Sequence, residues 1–186
     1  MAAIFALIMA LTSLIFFSGR DAMEQSTEKV DTTGRSRRAM DTLTPLVSST
    51  VETGGFEAIT VIDPTLEDLT DECHMDLTTR EDFLDPNYSP TQQFDASDPY
   101  YRFRVQYEPE TKQLNLYRLK IVPVEIDTSS RPRLLAHNVK GCRFQVLTVG
   151  MVGITLEIEA DQTNEARPDG VTTTTLTAIL TSPGNK

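Results

Sequence analysis

Apolar residues open the chain as one unbroken block and then recur with two different periods. From Met1 to Gly19 no side chain is charged and only Thr12, Ser13 and Ser18 are polar; the first charge is Arg20. As a helix this block would reach about 28 Å, close to the roughly 30 Å of a bilayer's hydrocarbon core. Three readings compete. A cleaved secretory signal needs a basic start and a small-x-small cleavage site, and this block has no Lys or Arg before it and ends Phe16-Phe17-Ser18-Gly19. A buried core helix needs a large core around it, and the remaining chain is small and polar. A membrane anchor is therefore the expectation, with an orientation that the positive-inside rule does not set.

Beyond Arg20 the composition stays helix-compatible. Met40, Leu43, Val47 and Val51 return at three- and four-residue steps, one apolar stripe, with Arg35, Arg37 and Arg38 expected on or beside the opposite face. Pro45 is expected to kink or interrupt the helix, and Gly54-Gly55 to end it. Period two then takes over. Phe56 to Ile62 reads as a strand, Tyr101, Phe103, Val105 and Tyr107 alternate with polar residues, and Leu114 and Leu116 continue the pattern after a five-residue loop, Glu108 to Lys112. Leu134-Leu135-Ala136 leads into Val139, Cys142 to Val149 and Met151 to Ile158 pair across Gly150 or Gly153, and Val171 to Thr181 forms a last, Thr-rich strand. Six or seven strands joined mostly by hairpins predict an antiparallel sheet. The expected fold is α+β: a long N-terminal α-helix, with a membrane half (1–19) and an amphipathic half (20–53), packed on a mostly antiparallel β domain (54–186).

Charge adds one segment to this picture. Between Asp63 and Pro99 there are eleven acids and one base, Arg80, so this insert alone accounts for the net charge of −10. It also carries Pro64, Pro86, Pro90 and Pro99 and is expected to be irregular, with a short strand or helical turn near Cys73 to Thr79. The acidic balance, 27 acids against 17 bases, argues against nucleic acid as a partner. At 186 residues the chain is one domain plus an appendage, and two cysteines and two histidines exclude a disulfide-dense scaffold.

The order of elements resembles the type IV pilin-like proteins, which include the minor pilins and the pseudopilins of type II secretion. Met1-Ala2-Ala3-Ile4-Phe5-Ala6-Leu7-Ile8 is similar to the middle of that family's membrane segment, and Leu134 to Phe144 is similar to a strand onset of the larger minor pseudopilins. The family's Gly-Phe (or Gly-Met) cleavage site, followed by a Glu, is absent from this chain; it is expected upstream in the genomic sequence, with Met1 an internal methionine. The resemblance implies an assembly subunit, not an enzyme, that helps to initiate or cap a filament. It implies no cofactor. The expected partners are inner-membrane lipid and other pilin-like subunits, met through Ile4, Phe5, Leu7, Ile8, Leu11, Leu14, Ile15, Phe16 and Phe17. It places the chain in a bacterial inner membrane as a single-pass protein, with the β domain in the periplasm or outside the cell. The alternative is an exported, membrane-tethered β domain that binds an unidentified ligand; no small-molecule substrate is evident.

Chemistry-bearing motifs are sparse. Asp71-Glu72-Cys73-His74 matches a helicase string by chance, since no phosphate-cradling Gly-rich loop accompanies it. Asp63, Asp68 and Asp71 offer oxygen ligands for calcium but lack EF-hand spacing, so a solvated acidic loop or a contact surface for a basic neighbour is the competing reading. Cys73 and Cys142 would form one bridge in an oxidising compartment or remain two separate, partly buried thiols. His137 is expected at the surface or a strand edge. No nucleophile–base spacing stands out, and Asn87-Tyr88-Ser89, a glycosylation sequon, is followed by Pro90.

Overall fold

The structure, a computed structural model, describes residues 2–52, 55–62, 72–85, 99–160 and 173–182, and side chains from Met9 onward apart from Ala10. One helix, α1 (Ala2–Ser48), precedes eight strands: β1 (Ile59–Ile62), β2 (Cys73–Thr79), β3 (Tyr101–Glu108), β4 (Gln113–Leu119), β5 (Arg133–His137), β6 (Val139–Thr148), β7 (Met151–Glu159) and β8 (Thr173–Thr181). All strand pairs are antiparallel, so the α+β expectation holds. The strands make two sheets instead of the single one expected: a five-stranded meander in the order β1-β2-β3-β4-β5 and a three-stranded meander β6-β7-β8.

Alternation explains both inner faces. Met75, Val105 and Leu116 stand side by side across β2, β3 and β4, as do Cys73, Tyr107 and Leu114, and all are buried. On β7, Val152, Ile154, Leu156 and Ile158 are fully buried at every second position, flanked by Cys142 and Phe144 of β6. The sheets and the C-terminal part of α1 enclose one hydrophobic core. At roughly 2 kcal/mol per fully buried large apolar side chain, this shared core is the main source of cohesion.

The chain crosses from one sheet to the other at a single residue. Asn138 separates β5 from β6 and adopts a φ of 56°, a left-handed conformation that Asn tolerates better than most residues. Its carbonyl accepts the Glu159 N–H at 2.9 Å, and the Val139 N–H donates to the Lys112 carbonyl at 2.9 Å, so the corner is tied to both sheets. The β6–β7 turn relies on Gly150, whose φ of 74° is open to glycine at no steric cost.

The helix departs from expectation in three ways. It runs through Pro45 to Ser48, with the Ser49 N–H donating to the Pro45 carbonyl, because a proline so near the end removes only one ladder bond. It stops before Gly54: Thr50 bridges to Thr79, and the Val51 N–H donates to the Thr78 carbonyl at 2.8 Å, so strand pairing captures the chain first. Arg35 lies against β5 instead of opposite the stripe, paired with Asp31 and 3.5 Å from the Nδ1 of His137, whereas Arg37 and Arg38 are exposed. Of the expected stripe, Met40, Leu43 and Val47 are buried on the helix, joined by Thr32, Ser36, Ala39 and Leu46, whereas Val51 lies beyond the helix end and is half-buried.

The acidic segment contains the short strand expected near Cys73 to Thr79. Its middle is β2, the second strand of the larger sheet, and Phe83 packs edge-on against Phe103 in the core.

Candidate assembly site on the N-terminal helix

Among the described residues, α1 meets the β domain along its second half. Among the described side chains Thr32 is the first that is buried, and its hydroxyl lies 2.7 Å from that of Thr174 on β8. Small side chains at Thr32, Ser36 and Ala39 let the helix approach closely, and the Thr32 and Ser36 hydroxyls satisfy themselves on the carbonyls one turn earlier. Contacts run to β8, β7, β5 and β2, so the helix touches both sheets. The 30 residues before Thr32, from Ala2 to Asp31, extend beyond the domain by roughly 45 Å of helix.

That projecting arm carries uncovered apolar surface. Leu14, Ile15 and Phe16 are each 68% exposed and Phe17 62%, with Met9, Leu11, Met23 and Val30 also exposed. Phe16 and Phe17 contact each other edge to face at 6.1 Å. Exposed apolar side chains grouped in this way are uncommon on a monomer's surface. Of the expected anchor residues, Leu11, Leu14, Ile15, Phe16 and Phe17 lie on this arm, and the side chains of Ile4, Phe5, Leu7 and Ile8 lie outside the described residues. Among the described residues, no helix is long and apolar enough to cross a membrane.

Two further features involve chemistry-bearing groups. Asp76, within the acidic segment, is buried on the outer face of the larger sheet and accepts two bonds from Arg104 at 2.8 and 3.0 Å, with Arg102 at 3.6 Å. The Arg102 guanidinium lies 4.2 Å from the Phe56 ring centre, and its Nε and Nη1 are buried without hydrogen-bond partners among the described residues. Beside them, burial first and the Arg104 charge second hold the His74 imidazole below its ordinary pKa. Asp82 pairs with Arg118, and Glu72 accepts from Gln106 at 2.7 Å, so Asp76, Asp82 and Glu72 are engaged in the fold. Sequence reading missed this cluster, because the outward Arg102 and Arg104 look like ordinary solvent-facing positions; their register partners Thr78 and Asp76 are visible only in the pairing.

The two cysteines come together. Cys73 and Cys142 are both buried free thiols, and the Cys73 Sγ donates to the Cys142 carbonyl at 3.2 Å. Burial pushes the Cys142 thiol well up, and a hydrogen bond with the Cys73 thiol adds to it. Asp63, Asp68 and Asp71, the calcium candidates, lie outside the described residues, as does the Asn87 sequon; no group of three or more metal-ligating side chains occurs among the described ones. His137 is exposed on the edge strand β5, as expected. An open groove of about 420 Å³ lies between the start of β1 and the β6–β7 turn, lined by Ile59, Val146, Leu147 and Val149 with Glu52 and Glu57 at its rim.

In comparisons with known proteins, no family model, no curated protein and no solved structure matches the chain.

Proposed function

We propose that the protein is a membrane-anchored subunit of the pilin-like class, a minor pseudopilin or minor pilin that helps to initiate or cap a type II secretion or type IV pilus-like filament. One observation carries the reading: α1 outruns the domain it packs on and presents Leu14, Ile15, Phe16 and Phe17 uncovered. Leaving such side chains in water forfeits about 2 kcal/mol each, so the arm requires an apolar environment. The uncharged run from Met1 to Gly19 supports lipid as the first such environment, with the β domain on the far side of a bacterial inner membrane. Helices of sister subunits would be the second, exchanging lipid contact for helix packing. The alternative, a tethered β domain that binds a ligand, draws on the groove between β1 and the β6–β7 turn.

A photo-crosslinking amino acid in place of Phe17, introduced in the host cell, separates the two. Adducts to other small, helix-led proteins are expected for a filament subunit. Adducts to lipid alone favour the tether, and recovery of the protein outside the membrane fraction would sink both.

A further inference from the structure

We propose that Cys73 and Cys142 are a cross-link site, where a disulfide oxidant closes one bond that clamps the five-stranded sheet to the three-stranded sheet. The two residues sit on the only strands that bring a cysteine to this interface: Cys73 opens β2, opposite Tyr107, and Cys142 lies on β6, opposite Leu156. The strands face each other across the core, and the Cys73 sulfur rests 3.2 Å from the Cys142 carbonyl oxygen. The sulfur of one cysteine thus touches the backbone of the other, so the bond would join β2 to β6 at a point where the two strands already meet. No other cysteine in the chain competes for either partner.

The reaction balances as thiol–disulfide exchange. One cysteine thiolate attacks an external small-molecule disulfide, forming a mixed disulfide and releasing one external thiolate. The second cysteine thiolate attacks the protein sulfur of that mixed disulfide and releases the other. The two cysteine sulfurs lose two electrons, the external disulfide gains them, and the two thiol protons end on the two released thiols. Both cysteines are buried in the folded state, at 6% and 1% residue exposure. The bond therefore forms while the sheets are still docking, or in molecules that open transiently, and resists reduction once buried. The closed loop would hold 68 residues (74–141), which restricts the unfolded chain strongly.

The inference stands on side-chain geometry and is independent of the anchor; export would merely supply the oxidant. To test it, the full chain in mild detergent is refolded in a mixture of reduced and oxidised glutathione, denatured, and alkylated with iodoacetamide. Intact mass should show no alkyl groups and the loss of two hydrogens. The thermal midpoint should exceed that of the same preparation treated with dithiothreitol by about 10 °C. Holding already folded protein with oxidised glutathione just below its melting midpoint gives the same readout without refolding. Two alkylated cysteines, glutathione adducts left on either one, or a bridged protein with an unchanged midpoint would overturn the proposal. None of these outcomes bears on what the arm contacts in the cell.

Discussion

Tyr107 shows how single side chains hold the two sheets together. It lies on β3 with 2% of its surface exposed, and its hydroxyl donates to the carbonyls of Val139 and Lys140, 3.3 and 3.0 Å away on β6. Burial, helped by the nearby Cys142 and Cys73 thiols and by Glu159 and Glu157, pushes its pKa up to about 12. Tyr117, also raised to about 12, is held first by burial and then by its bond to Glu108. A phenol whose folded pKa lies above its unfolded value of 10.0 contributes stability that is complete below that pH and is lost as pH rises through the folded value. The urea midpoint is therefore expected to hold up to about pH 10 and to fall between about pH 10 and 12. Tyr107→Phe should flatten part of that fall and cost about 1 kcal/mol at neutral pH. An alkaline limb identical in the variant and the parent would refute the assignment.

At the scale of elements, the boundary between packed and free helix falls near Thr32, and two glycines on either side of it make that measurable. Gly34 lies within the packed stretch, and an added Cβ there would meet only the Arg38 Nη2, at 3.9 Å; Gly19 lies on the projecting arm with open space around it. Gly34→Ala is expected to raise the unfolding free energy by about 0.5–1 kcal/mol, the usual gain inside a helix. Gly19→Ala should leave that value unchanged while increasing helical circular dichroism in detergent. Equal stabilisation by both would mean that the arm and the domain unfold as one unit. Most elements could be read from their periods. The alternation of Tyr101, Phe103, Val105 and Tyr107 announced β3, and the stripe from Met40 to Val47 announced the seated face of α1. What stayed hidden was set by partners distant in sequence. A short strand near Cys73 to Thr79 was legible, but the burial of its outer face was not: His74, Asp76 and Thr78 turn away from the core within an acid-rich stretch, and the pairing of Asp76 with Arg104 shows only across the sheet. The division into two sheets turns on Asn138 alone, and the helix end on the bridge between Thr50 and Thr79. Of the candidate site, the apolar character of the arm was legible, whereas the meeting of Cys73 and Cys142 was not, since proximity across 68 intervening residues (74–141) leaves no local pattern.

For the whole molecule, the core ends where the arm begins. Every buried apolar residue among those described lies at or after Ala39. Removal of residues 1–19 is therefore expected to leave a folded, soluble domain whose unfolding free energy differs from that of the full chain in detergent by no more than about 0.5 kcal/mol. The full chain should partition into phospholipid vesicles and the truncated one should remain in the supernatant. A truncated chain that unfolds or aggregates would show that the first 19 residues belong to the core.

The seating of α1 against both sheets has a mechanical consequence. A pull on the free end of the stem is resisted along the stretch from Thr32 to Val47, about four turns, by side chains that touch β8, β7, β5 and β2 together. Load is shared across the interface instead of falling on one strand. A domain carried on such a handle can be tugged without unravelling from its edge.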